Sequence, residues 1–399
     1  MHFDTQFTFY GIKEAEHFLQ DVLYKAKKLF EEKFDEEETA ALILIGGYGR
    51  GEGGVVKIND HYRPHNNLDL IYIHNQNIEQ SRIDEVNKAL QVIADEEGIG
   101  IDLSAINKEK LLSLRGLVIG YDMRFGHKCL LGNSDFLRNH RAFDLYDIDP
   151  ADARQLLVNR GTLLLINKAL LRQETLGEKE KKLIIKHAIK AIIGYGDALL
   201  FFHNKYHWSY AQKQTNMMQL KEASPEIRAL YDEAILFRFK PNYERYLQKD
   251  MQAYNDELLE ALSKVHLECE KLNLEYPSLT WDNYFTMALQ KKSYARQSFK
   301  QGIKSTLFAF KNLGVMAHLE NGTQKRSFRH LGGKGMLSLL FPYIAYEVYP
   351  KDYSALFDTA LKTKGSENYL RAFLKLWGSL ADTNFTNVLR TYNIDLESL

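Results

Sequence analysis

The 399-residue chain has only two cysteines, Cys129 and Cys269, far apart and in no metal-like spacing. That argues against a disulfide framework or a cysteine-built zinc site and fits a reducing compartment, so a cytoplasmic protein is expected. Proline is scarce, at seven residues, and no low-complexity tract occurs, so no long disordered linker is expected. Net charge is lacking too, with 52 Lys and Arg against 52 Asp and Glu. Coating a nucleic acid duplex requires a clustered positive field, so this balance disfavours nucleic acid as a partner while leaving room for a local basic patch. Long apolar runs are also missing. Met336 to Val348 is interrupted by Ser338, Pro342 and Glu347 and is too short to span a bilayer. Met1 to Tyr10 alternates polar and aromatic residues, unlike a signal peptide, and no membrane partner is expected.

What is present is concentrated between Leu42 and Ile73. Leu42, Ile43, Leu44 and Ile45 read as a buried strand that runs straight into Gly46, Gly47, Tyr48, Gly49, Arg50, Gly51 and Glu52. Glycines carry no Cβ and permit positive φ, so successive N–H groups can converge on an anion, usually phosphate, with Arg50 as a fixed cation nearby. A second strand is expected over Asn66 to Ile73, with Asn67, Asp69 and Ile71 on one face and Leu68, Leu70 and Tyr72 on the other. Two liganding groups two residues apart on a strand suit Mg²⁺ beside a phosphate-binding turn. Ile99 to Ala105 alternates apolar and polar residues and places Asp102 on the polar face of a third strand, after a helix expected over Ile78 to Glu97.

Gly46-Gly-Tyr-Gly-Arg-Gly-Glu52 followed by Asn67-Leu-Asp69-Leu resembles the signature of the DNA polymerase β-type nucleotidyltransferases, and the turn is most similar to that of bacterial uridylyltransferases of nitrogen signalling. The resemblance implies a small mixed-sheet core, a glycine turn holding nucleotide phosphates, and acids on the next two strands holding Mg²⁺. On this chain it assigns Asp69, Asp102 and Asn67 as catalytic and metal-binding residues, with two ions expected in an active enzyme. It assigns Gly46, Gly47, Tyr48 and Arg50 to ATP or another nucleoside triphosphate. The implied reaction moves a nucleoside monophosphate, AMP by default, to a hydroxyl on a small molecule or a protein. The chain departs from the pattern at two points. Asn67 stands where the first acid is expected, and an amide brings no charge to a metal. The insert from Gly53 to His65 is long, and its Asp60 would have to fold back to replace that acid. The alternative reading is a catalytically silent nucleotide-binding or scaffold protein.

The rest reads as helix. Lys13 to Lys33 has a helical apolar stripe, Lys108 to Gly116 a short helix, and Asp122 to Leu131 the alternation of an edge strand. From Asp149-Pro150 helices are expected over Asp152 to Gln173, Glu178 to Lys205 and Ser209 to Glu222. On the second, Lys186, Lys190, Asp197 and Asn204 share a stripe. A helical domain after the core resembles the aminoglycoside nucleotidyltransferases, which implies that Lys186, Lys190 and Asp197 line the nucleotide cleft; the competing reading is a solvated face. Single helices are expected over Tyr243 to Leu272, Trp281 to Leu313, Gly335 to Tyr349 and Tyr353 to Trp377, with a basic glycine-bearing loop over Asn321 to Gly335. The expected organisation is α+β: a nucleotidyltransferase core over 1–135, a helical closing domain over 136–224 and a helical C-terminal domain over 225–399.

Overall fold

In a computed structural model of the chain, the residues described are 3 to 396 except 4, 174, 291–298, 351–352, 383–384, 393 and 395. The architecture is α+β, with a small mixed sheet in the N-terminal part and helices after it. By internal contacts the chain forms two units, one of Met1–Asp149 with Lys205–Asn242 and the other of Pro150–Asn204 with Tyr243–Leu399. The boundaries expected near 135 and 224 both fall inside the first unit, because the chain returns to it at Lys205.

In the first unit α1 (Lys13–Lys33) buries Leu19, Val22, Leu23, Ala26 and Phe30, the stripe its spacing predicts. Strand β1 (Thr39–Ile45) enters α2 (Gly46–Arg50), and the insert that follows is a hairpin of β2 (Val55–Ile58) and β3 (His61–Pro64). Asn59 and Asp60 both take positive φ at its tip, the primed-turn geometry that matches the strand twist. Then come β4 (Leu68–His74), α3 (Gln80–Glu97), β5 (Ile101–Asn107), a 3₁₀ turn over Lys108–Leu114, α4 (Val118–Phe125), β6 (Lys128–Gly132) and α5 (Asp135–Arg138). The sheet order is β5-β4-β1-β6, with β4 antiparallel to β1 and parallel to β5.

Strand β1 is buried on both faces. Leu42 and Leu44 join Leu70 and Tyr72 in a core with α1 and α3, while Ala41 and Ile43 join Ile73, Met123 and Phe143 on the opposite face. Burying one such side chain is worth roughly 1.5–3 kcal/mol. The edge strand expected from Asp122 is corrected: 122–125 are helical, and the strand starts at Lys128. Val118 and Tyr121 are buried one helical turn apart and Met123 is buried on another side of the helix, and this helical burial outweighs the local alternation. The unit is completed by α8 (Tyr210–Gln219), capped by Ser209, and α9 (Pro225–Phe239), capped by Ser224 with Pro225 in its first turn. Before these in the chain, α6 (Pro150–Leu170) and α7 (Glu178–Phe202) belong to the second unit.

All remaining described elements of the second unit are helical. The helix expected over 243–272 is divided into α10 (Glu244–Leu247) and α11 (Met251–Asn273), because the Asp250 carboxylate caps a new helix by accepting from the Gln252 and Ala253 N–H groups. Of the expected 281–313 helix, α12 (Trp281–Gln290) and α13 (Phe299–Lys311) are described and 291–298 lie outside the described residues; α14 (Leu313–Ala317) follows. The expected basic loop over 321–335 is instead the first part of α15 (Gly322–Tyr346), kinked at Gly332. Gln324, Ser327, Phe328 and Leu331 are buried at helical spacing, which outweighs the glycines. The single helix expected over 353–377 is interrupted by left-handed Lys362, giving α16 (Ser354–Leu361) and α17 (Tyr369–Leu380), with α18 (Phe385–Thr391) after them. Among the described residues no helix is long and apolar enough to cross a membrane.

Candidate active site in the first unit

Strand register builds the centre of the site. Asp69 on β4 and Asp102 on β5 are direct partners in the parallel pair, and both are exposed. Neighbouring strands lie about 4.8 Å apart, so in-register partners present their side chains side by side. Leu68, Leu70 and Tyr72, which alternate with Asp69, are buried toward α1 and α3, and this fixes the face on which Asp69 stands. Asn67 precedes β4, and its Nδ2 donates to Asp102 Oδ2 at 3.0 Å. Its amide lies over Gly100, where a Cβ would come within 2.5 Å of Asn67 Oδ1. Asp60, the spare acid, sits at the hairpin tip paired with Lys57 and almost fully exposed.

Gly46 begins the turn directly after β1, whose last residue, Ile45, pairs with Asp69. Its φ is +70°, and a Cβ there would come within 2.5 Å of Asp69 Oδ2. A side chain at this position would therefore be strained and would also collide with the carboxylate. A Cβ on Gly47 would lie 3.3 Å from an Arg238 Nη, so a guanidinium from α9 faces the turn. The Arg238 Nε is buried with no hydrogen-bond partner among the described residues.

The other turn residues have structural work. Tyr48 is buried; its hydroxyl donates to the Gly54 carbonyl at 2.9 Å and accepts from the Asn66 N–H at 3.2 Å, tying both ends of the hairpin insert to the turn. Burial pushes its phenol up to about 12. Arg50 is nearly inaccessible and is paired with Asp122 at 2.6 Å, while Asp122 also accepts from the Tyr206 hydroxyl at 3.0 Å. Burial opposes the Arg50 charge, but Asp122 and then Tyr210 outweigh it and hold the group above its usual value. Glu52 caps α8: its carboxylate accepts from Ser209 Oγ at 2.5 Å and from the Tyr210 and Ala211 N–H groups at 2.7 and 3.2 Å. The glycine turn and the returning segment are thus one structure.

Tyr210 gathers the cations of this region. Its ring has Lys213 at 4.1 Å, Arg238 at 4.2 Å and Arg50 at 4.9 Å. Such contacts contribute roughly 0.5–2 kcal/mol each and hold the charges where water is scarce. Asp122 offsets Arg50 and Glu52 lies at the start of α8, so the cation that makes the neighbourhood of Gly47 attractive to an anion is Arg238. No protein-family model and no curated protein matches the chain.

Among the described residues no group of three or more His, Cys, Asp or Glu could hold a metal ion. Asp69, Asp102 and the Asn67 amide are a donor set of two carboxylates and one neutral group. The two carboxylates are hard oxygen donors that suit a Mg²⁺ keeping several waters, and the Asn67 oxygen, which lies over Gly100 while Nδ2 faces Asp102, joins them only if the amide turns over. Of the other residues singled out from the sequence, Lys186, Lys190 and Asp197 lie on α7 in the second unit. There Lys186 is partly buried, Lys190 exposed and Asp197 buried. A uniformly solvated stripe is not what α7 presents. Tyr210 is a weak cleft candidate by sequence, whereas Arg238, Lys213 and Asp122 carry no local signal of a site. Ser224-Pro225 signals the start of α9, but nothing local shows that α9 returns to the glycine turn.

Proposed function

We infer that the first unit is a Mg²⁺-dependent nucleotidyltransferase that moves a nucleoside monophosphate, AMP from ATP by default, to a hydroxyl acceptor. The observation that carries this reading is the in-register pairing of Asp69 with Asp102 beside Gly46, the residue whose missing side chain leaves room for Asp69 Oδ2. Asp69, Asp102 and Asn67 would hold the ion, which when bound offsets phosphate charge. Gly46 and Gly47 give the triphosphate a turn without side chains, and Arg238 supplies the cation beside it. Arg50 serves that arrangement indirectly, by bracing Asp122 and Tyr210. The acceptor oxygen bonds to the α-phosphorus, the bond from that phosphorus to the bridging oxygen breaks, and pyrophosphate leaves with the electron pair. Asp102 would either share in holding the ion or take the hydroxyl proton, through Oδ1, the carboxylate oxygen that Asn67 leaves open.

The bond from Asn67 to Asp102 favours a second reading. An amide donor occupies lone-pair capacity that a metal or a proton would otherwise use, as expected of a protein that binds nucleotide without turning it over. Calorimetric titration with ATP, with and without Mg²⁺, followed by pyrophosphate release against hydroxyl-bearing small molecules and proteins, tests both. Mg²⁺-dependent binding with release supports the enzyme, and binding without release supports the silent protein. Absence of Mg²⁺-dependent binding, or binding unchanged in Asp69→Asn, overturns both.

A further inference from the structure

The second unit holds a cavity of about 400 Å³ that the reading above does not use. One wall is the first three turns of α7, carrying Glu178, Lys179, Lys182, Leu183 and Lys186, and the other walls are Tyr243 and Tyr392. Steps of three and four residues put Lys179, Lys182 and Lys186 on one face of the helix. Lys182 is paired with Glu178 at 2.5 Å. Lys179 and Lys186 make no ion pair among the described residues, so the described lining carries a net positive charge of about two. The aromatic walls are close to these cations: Lys179 lies 5.1 Å from the Tyr392 ring centre and Lys182 lies 5.9 Å from that of Tyr243. Lys186 is partly buried despite its charge, and Tyr243 and Tyr392 are also only partly exposed.

We propose that this cavity binds a phosphate monoester carrying a flat ring, with the dianion between Lys179 and Lys186 and the ring between Tyr243 and Tyr392. The volume falls in the range of small-molecule sites. The net charge of the described lining matches that of a phosphate monoester, and Leu183 with the two tyrosines offers an apolar surface that inorganic phosphate cannot use. The inference does not depend on nucleotide transfer in the first unit.

Phenyl phosphate is a suitable probe, being largely dianionic at pH 7.5. Calorimetry on the full chain, with a chelator present and in an Asp69→Asn background, keeps the first unit's metal-dependent site silent. Phenyl phosphate is expected to bind roughly tenfold more tightly than inorganic phosphate, with benzyl alcohol showing no saturable heat. Lys179→Met and Lys186→Met should each weaken it by roughly tenfold, Lys186→Arg should retain it, and raised salt should weaken it progressively. The lysine changes are at a helix surface, and circular dichroism verifies that each variant is folded. Equal affinity for phenyl and inorganic phosphate, or binding that survives loss of both lysines in the folded protein, overturns the proposal. So does the absence of saturable binding.

Discussion

At the scale of single residues the site turns on a missing side chain and a missing charge. Gly46 is the only residue type that takes φ +70° without strain while leaving Asp69 Oδ2 in place. Gly46→Ala is therefore expected to cost about 1–2 kcal/mol locally and to abolish Mg²⁺-dependent ATP binding in a protein that still folds. Calorimetry beside circular dichroism checks this, and unaltered binding would detach the turn from the metal site. Asn67 supplies the other test. Asn67→Asp keeps the size of the side chain, removes the donor to Asp102 and adds a carboxylate. If the centre is an active site lacking one charge, metal affinity and pyrophosphate release should rise together, by roughly tenfold or more. A neutral or harmful effect would instead mean that the protein is adapted to the amide. Asp69→Asn is the control and is expected to lose Mg²⁺-dependent binding in either case.

At the scale of elements, the glycine turn is joined to a segment far along the chain through the N-terminus of α8. Glu52 alone accepts from Ser209 Oγ and from the Tyr210 and Ala211 N–H groups. Those backbone groups have no partner inside the helix, so a carboxylate there both satisfies donors and complements the helix dipole. Glu52→Ala should therefore loosen α8 by about 1–2 kcal/mol, which is roughly 5–30-fold faster amide exchange over Tyr210–Gln219. Exchange in α3, which packs against α1 and β5 and makes no bond to Glu52, should stay unchanged. Uniform acceleration across the first unit would mean that Glu52 holds more than a helix end. The stacked pair Phe9 and Phe239, with ring centres 3.9 Å apart, holds the other end of the returning segment through α9.

At the scale of the molecule, the second unit buries ionisable groups that make its stability depend on pH. His187 is buried with Nδ1 2.8 Å from Asn167 Oδ1, and burial lowers it to about 3. Glu270 is fully buried; burial would raise it, but Arg154 and His266 bring it down to about 2. Burial also lowers His266. Each folded value lies below the unfolded one, so the unfolded chain takes up more protons as pH falls and the stability present above the unfolded value is lost. The loss is expected to begin below about pH 6.5 through the histidines and to deepen below about pH 4.5 as Glu270 becomes involved. For His187 it amounts to on the order of 2 kcal/mol at pH 5. Trp281 and Trp377 lie in this unit and Trp208 in the first, so melting followed by tryptophan emission from pH 8 to 5 in a Trp208→Phe background measures it. His187→Gln should flatten the slope between pH 6.5 and 5, and an unchanged slope would remove His187 as its source. Sequence by itself determined the α+β class, the run of β1 into the glycine turn, the strand faces of Asp69 and Asp102 and the starts of such helices as α1, α6, α7, α8 and α12 to within about two residues, because side-chain periodicity and capping chemistry act within a few residues. Helix interruptions were less legible: Asp250 and Lys362 break stripes that look continuous, since a cap or a left-handed residue needs few letters. Only the tertiary structure decided that 205–242 rejoins the first unit, that Arg50 is tied to Asp122 while Arg238 faces Gly47, and that Asp69 pairs in register with Asp102. Those arrangements rest on contacts between residues far apart in the chain, and their energies leave no periodic trace in either partner's own sequence.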